Sequence, residues 1–138
     1  MLAADQLTKA LVASRFLPGE SVPLIPKVLQ LTYVQNTGAA FGLFKGQQLV
    51  FVAVSVAVVA WILWEFRRQQ GMASRLNLWA AGLVLGGAVG NLIDRLRLGY
   101  VVDFIDVRVW PVFNIGDSAI TIGVTLLIWQ SLRPRQRG

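Results

Sequence analysis

Three apolar runs, residues 49–64, 76–93 and 115–132, constrain this chain more than any other feature. Each is close to the roughly 20 residues that a helix needs to cross about 30 Å of hydrocarbon. They are internal and repeated, so none reads as a cleaved leader. The chain has 138 residues, of which 55 % are apolar and 14 % charged. That balance lies far outside the soluble range, and the expected solvent is lipid. Residues 1–17 read as a further short helix, interrupted by Asp5, Gln6, Thr8 and Lys9 and stopped by Pro18-Gly19. It is too short to span alone.

A net charge of +6 points to nucleic acid in a soluble protein, but its distribution points elsewhere. Arg67, Arg68 and Arg75 flank the loop between the first two runs, and Arg133, Arg135 and Arg137 fill the tail, with no acid in either place. The positive-inside rule makes both segments cytoplasmic and puts loop 94–111 outside. No nucleic-acid partner is expected. Trp61 and Trp64 near Arg67 suit an interfacial aromatic belt.

Residues 28–35 (VLQLTYVQ) and 100–109 are β-branched without helical periodicity, and both are expected to be extended. Asn36-Thr37-Gly38 gives a turn. Gly82, Gly86 and Gly90 recur every four residues, a spacing that lets another helix approach closely. Asn114, Asp117, Thr121 and Thr125 stack on one face of the last helix, and such a stripe is expected to meet protein or water.

The chain contains neither cysteine nor histidine. Thiolate nucleophiles, Cys-ligated zinc and the commonest general base are therefore excluded, which leaves seven carboxylates for acid and base work. Most have a structural reading. Asp5 precedes Lys9 by four residues, the favourable order for a helical ion pair. Asp94 adjoins Arg95 and is explained by an ion pair anchoring its helix; Asp106 and Arg108 share a strand face. Asp117, three residues after Asn114, fits an N-cap with its reciprocal partner, and a helix N-terminus also stabilises an anion. Asp103 has no adjacent base, and its apolar setting of Val101, Val102, Phe104 and Ile105 is expected to raise its pKa. Two carboxylates in different protonation states suit peptide hydrolysis: one takes a proton from water, the other donates to the scissile carbonyl oxygen. Neither metal nor cofactor is required.

Five blocks then carry a resemblance: DQLTK (5–9), NTGAAF (36–41), GGAVGNLIDR (86–95), VVDFID (101–106) and FNIGDS (113–118). In order and spacing they resemble the motifs of the lipoprotein signal peptidase (signal peptidase II) family. The resemblance implies an aspartic endopeptidase of the bacterial inner membrane that removes the signal peptide from a prolipoprotein, cutting before a cysteine that carries diacylglycerol. It implies Asp103 and Asp117 as the catalytic pair at the outer face, with Asn36, Asn91, Arg95, Asn114 and Asp5 orienting substrate. The implied fold is a single mainly α integral-membrane peptidase domain over 1–138. It is a four-helix transmembrane bundle with spans at about 1–17, 47–66, 76–94 and 114–132 and a small extracytoplasmic β element, with a gating segment near the substrate. Implied partners are the lipidated prolipoprotein and membrane lipid, with the protein a monomer. Family chains carry a longer apolar lead before the first block, so the first span is expected to be partial. They usually carry Ala or another small residue where Gly116 stands, a difference expected to be tolerated at some cost in helix propensity.

Two other classes are open on the residues alone. A non-enzymatic helix bundle, such as a small transporter or assembly subunit, predicts a polar path across the bilayer, whereas here the acids cluster at one end. A serine-lysine peptidase would need Ser118 or Ser21 beside Lys9, Lys27 or Lys45.

Overall fold

The computed structural model of the chain describes residues 1–38, 48–68 and 74–132. Four helices and three strands run in the order α1 (Leu2–Arg15), β1 (Ser21–Ile25), β2 (Leu29–Asn36), α2 (Gln48–Arg68), α3 (Arg75–Leu98), β3 (Val101–Asp106) and α4 (Ile115–Ser131). The end of block 36–41, Lys45, the first residue of the span expected at 47–66 and the arginines of the tail lie outside the described residues.

The helices begin and end where local chemistry dictates. Ser74 caps α3 by accepting from Asn77 N at 3.2 Å, and Gly99 ends it with φ 83°. That left-handed conformation is cheap only for glycine. With 24 residues, α3 is about 36 Å long at about 1.5 Å per residue. It is long and apolar enough to cross a membrane, and a shorter apolar helical segment covers Leu49–Trp64. Leu49, Val54, Trp61, Trp64, Trp79, Ile128 and Trp129 are exposed on the helix surfaces. Arg68 lies over the Trp64 ring, 5.3 Å from its centroid, a cation–π geometry.

The sheet is antiparallel in the order β1-β2-β3. β2 stands one residue later than the expected 28–35. β3 is shorter than expected at both ends: Tyr100 follows the α3 cap, and Arg108 turns the chain with φ 69°. β1 has no counterpart in the sequence reading, because its five residues are all exposed and Pro23 interrupts them. An edge strand tolerates such a proline, since only one side of it pairs.

Among the described elements, the packing between α3 and α4 is the most extensive. The expected glycine stripe accounts for only part of it. Gly86 and Gly90 do face α1, where a Cβ would meet Met1 and the Asp5 carboxylate, but Gly82 looks into open space. The close α3–α4 approach runs instead through Gly87, where a Cβ would collide with the Gly116 carbonyl oxygen, and Gly123, where it would meet Ala80 O and Val84. A Cβ on Gly116 itself would lie 3.0 Å from both Asn114 Oδ1 and Asp5 Oδ1. Close packing, as well as helix propensity, therefore acts at this position. Two apolar clusters complete the core: Val12, Tyr33, Val102 and Phe104 between α1 and the sheet, and Ile62, Ala81 and Val84 between α2 and α3.

The expected polar stripe on α4 is divided. Asn114 is enclosed, but Thr121 and Thr125 are exposed and donate to the carbonyls four residues back, at 2.9 and 2.7 Å. Their hydroxyls are satisfied within the helix and need no neighbouring protein or water.

Candidate active site

Fourteen residues separate Asp103 from Asp117, and the chain closes that gap by folding back on β3. Phe113 accepts from Phe104 N and Ile105 N at 3.0 and 2.7 Å and donates to Ile105 O at 3.1 Å. The next residue, Asn114, is therefore delivered beside Asp103 just as α4 begins. Its extended backbone (φ −126°) makes it the N-cap, and the capping box read from the sequence is present. Asn114 Oδ1 accepts from Asp117 N at 2.9 Å, and Asn114 N donates to Asp117 Oδ2 at 3.2 Å.

The same side chain reaches the other carboxylate. Asn114 Nδ2 donates to Asp103 Oδ1 at 2.7 Å and to Asn91 Oδ1 at 3.1 Å. Asn91 Nδ2 donates to Asp117 Oδ1 at 2.7 Å, and Asn36 Nδ2, at the end of β2, donates to Asp103 Oδ2 at 2.8 Å. Three carboxamides from three elements thus join Asp103 and Asp117 into one network. Asp103 is 1 % exposed and Asn114 0 %. Asp103 is pushed up to about 7, first by burial and second by the neighbouring Asp117 charge, against the opposing donors Asn36 and Asn114 and the Lys9 charge. Arg95, at the same end of α3, acts electrostatically on Asp117, Asp103 and Asp94. Its guanidinium lies 5.3 Å from the Phe51 ring centroid.

Behind this pair lies a second polar layer. Lys9 Nζ contacts Asp5 Oδ2 at 2.8 Å, Asp94 Oδ2 at 3.0 Å and Asn91 Oδ1 at 2.8 Å. The expected Asp5–Lys9 pair is present, but it is buried. Asp94 departs from the expected anchoring pair with Arg95: its salt bridge runs to Lys9 on α1, and it also accepts from Gln6 Nε2 at 3.0 Å and Val102 N at 3.1 Å. Burial demands a fixed partner, and α1 supplies it at a sequence distance that local spacing cannot reveal. Asp5, 0 % exposed, accepts from Gly116 N at 2.8 Å and from Gln6 Nε2 at 3.2 Å. Asp106 is tied to β2, accepting from Gln30 Nε2 at 2.7 Å and Thr32 Oγ1 at 3.0 Å, as well as from Arg108 N at 2.8 Å. Burial raises its pKa, but these donors outweigh burial and hold it below the ordinary value.

Gln6, Lys9 and Asp94 are the polar groups of this region that the sequence reading did not assign to the site. Their signal was membership of the DQLTK block for Gln6 and Lys9 and of GGAVGNLIDR for Asp94. The serine alternatives are committed elsewhere: Ser118 Oγ donates to Asn114 O at 3.1 Å, and Ser21 Oγ sits 2.9 Å from Thr32 Oγ1.

Known proteins match this chain over nearly its full length. The lipoprotein signal peptidase of Moorella thermoacetica is 53 % identical over 134 residues, covering 97 % of this chain and 89 % of its own. That of Halothermothrix orenii is 46 % identical over 133 residues, covering 94 % and 90 %. Two solved structures described as bacterial membrane enzymes have TM-scores of 0.87 and 0.85 at 36 % and 35 % identity. They cover 95 % and 96 % of this chain and 82 % and 87 % of their own. Residues 1–133 match the family described as signal peptidase (SPase) II, and the chain belongs to that family.

Proposed function

We propose that this membrane protease, which removes signal peptides from prolipoproteins, is an aspartic endopeptidase whose reacting groups are Asp103 and Asp117. The observation that carries the proposal is the Asn114 bridge, which binds Asp103 Oδ1 through its Nδ2 and the Asp117 N–H through its Oδ1. The two carboxyls have different surroundings. Asp103 is enclosed in a strand, and titration at about 7 leaves it substantially protonated near neutral pH. Asp117 sits instead in the first turn of α4, at the positive end of the helix dipole, where Asn91 Nδ2 and Asn114 N donate to its two oxygens.

The chemistry follows from that asymmetry. Asp117 takes a proton from a water molecule, whose oxygen attacks the scissile carbonyl carbon while Asp103 donates its proton to the carbonyl oxygen. The resulting diol collapses by C–N cleavage, Asp103 recovers its proton, and Asp117 passes the one it took to the leaving amine. The products are the signal-peptide carboxylate and the amino group of the lipidated cysteine. Asn36, Asn91 and Asn114 hold the two carboxyls, and Arg95 supplies a cation beside them that suits orientation of substrate. No metal or cofactor takes part.

In the bilayer, α1 to α4 form the four-helix bundle, with α1 the shortest member. Arg67, Arg68 and Arg75 lie at the cytoplasmic end, so the opposite end of α3, carrying Asn91 and Asp94, faces outward with the sheet in an inner membrane crossed several times. A cysteine anchored by its lipid presents its N-terminal peptide bond at that depth, and one copy of the chain suffices. The test uses purified protein in lipid vesicles. It is expected to cut a diacylglyceryl-modified prolipoprotein, to leave the unmodified precursor intact and to yield no signal-peptide hydroxamate when hydroxylamine is present. Hydroxamate formation would reveal an acyl-enzyme and overturn direct attack by water.

A further inference from the structure

The polar layer behind the pair has a geometry of its own. Lys9 is 2 % exposed. An ammonium has three donors and no acceptor, and all three directions are filled: Asp5, Asp94 and Asn91. Each of its two carboxylate partners grips a backbone N–H with an oxygen. Asp94 Oδ2 accepts from Val102 N at 3.1 Å, and Asp5 Oδ1 accepts from Gly116 N at 2.8 Å. Val102 immediately precedes Asp103, and Gly116 immediately precedes Asp117. The two gripped amides are therefore the ones that place the two reacting carboxyls. Gln6 Nε2 closes the group by donating to Asp5, Asp94 and the Gly90 carbonyl at 3.2, 3.0 and 3.1 Å.

We infer that Lys9 is a positioning residue. Together with Asp5 and Asp94 it forms a clamp that fixes the separation of β3 from the start of α4, and through Asn91 it fixes the donor presented to Asp117. The inference rests on Asp103 and Asp117 being the reacting pair. Two features separate this role from a general contribution to packing. The clamp acts on the backbone beside each carboxyl and touches neither carboxyl directly. Its third contact sets the direction of an amide: with Asn91 Oδ1 held by Lys9 and Asn114 Nδ2, only the Asn91 NH2 can face Asp117. This geometry also gives Asp5 a role behind the pair, in place of the substrate contact that its motif position implies.

Charge provides a second readout. The charged groups acting on Asp103 are Asp117 on α4, Arg95 on α3 and Lys9 on α1, with Asp5 and Asp94 paired to that lysine; the Lys9 charge is one of the influences that hold Asp103 down. A reaction that needs protonated Asp103 falls away as pH rises through its titration, so the alkaline limb reports that group.

The experiment compares wild type, Lys9→Gln and Asp103→Asn in vesicles with a diacylglyceryl-modified prolipoprotein. Lys9→Gln is expected to lower kcat by about 10- to 100-fold, the scale on which ångström misplacement costs rate. KM should stay within about twofold, because ground-state binding is untouched, and the alkaline limb should move to higher pH. A KM increase at unchanged kcat would make Lys9 a substrate contact, and an unchanged kcat and limb would leave it without a positioning role; either overturns the inference. If Lys9→Gln does not fold, the uncharged variant D5N/K9Q/D94N is judged on the same kcat and KM split. Loss of turnover in Asp103→Asn alongside an unchanged Lys9→Gln would defeat the clamp alone. Turnover surviving in Asp103→Asn would defeat the reacting pair and the clamp with it.

Discussion

Replacing Asp103 by asparagine is expected to make the protein more stable at alkaline pH while removing its activity. A carboxyl that titrates at about 7 in the folded chain and at 3.8 when unfolded holds its proton more tightly when folded. Between those values the folded state binds more protons than the unfolded one, so stability falls as pH rises from about 4 to about 7. At about 1.4 kcal/mol per tenfold change in proton affinity, the ionised, buried Asp103 costs about 4 kcal/mol above pH 7. Asparagine removes that cost but introduces another. Asn36 and Asn114 each donate to one Asp103 oxygen, at 2.8 and 2.7 Å, and a carboxamide must turn its NH2 toward one of these donors. That conflict costs about 1–3 kcal/mol. The variant should therefore be about 1–3 kcal/mol more stable than wild type at pH 8 and about 1–3 kcal/mol less stable near pH 3, where Asp103 is protonated in both the folded and the unfolded chain. Reversible unfolding in mixed micelles, followed by tryptophan fluorescence across this range, measures the difference. A difference that does not change sign with pH would refute both the shifted titration and its origin in burial.

Other consequences are simpler to check. Gly87→Ala drives a methyl into the Gly116 carbonyl and should cost about 1–3 kcal/mol and most of the activity. Gly82→Ala on the same helix meets open space and should gain up to about 1 kcal/mol with activity intact, as thermal unfolding and a cleavage assay would show. Asp106→Ala removes the acceptor for Gln30 and Thr32 and should destabilise the sheet by about 1–3 kcal/mol at neutral pH. Because the Asp106 pKa is lowered on folding, the carboxylate stabilises the fold above its unfolded pKa, and unfolding measured down the pH scale should show the deficit vanish as pH falls through the folded value. A chelator should leave cleavage rates unchanged, since every proposed step uses carboxyls and water.

How much of this was legible in the sequence depended on the range of each interaction. Helices α2 to α4, the strand β2 and the Asn114–Asp117 capping box are set by local periodicity and spacing, and all stand where the residues indicated. The rise in the Asp103 pKa was also legible, because four apolar neighbours announced burial. The partner of Asp94 was not: Lys9 lies 85 positions away, and the adjacent Arg95 offered a cheaper local account. The glycines divided for a related reason. A repeat of four identifies a helix face but not its neighbour, so Gly86 and Gly90 face α1, while Gly87, off the stripe, makes the close contact with α4. β1 escaped because an exposed edge strand containing proline carries neither alternation nor an apolar signature. Of the site, the residue types were readable and the joining element was not. Phe113 folding back on β3 delivers Asn114 to both carboxyls, and no spacing rule foretells it.

The most direct test of the central claim is cleavage of a diacylglyceryl-modified prolipoprotein by Asp103→Asn and Asp117→Asn, each assayed alone in vesicles after confirming membrane insertion. The account predicts that neither variant releases signal peptide, even with excess enzyme in a single turnover, because each carboxyl performs a proton transfer that the other cannot. Release of signal peptide by either variant at a rate near that of the wild type would contradict it.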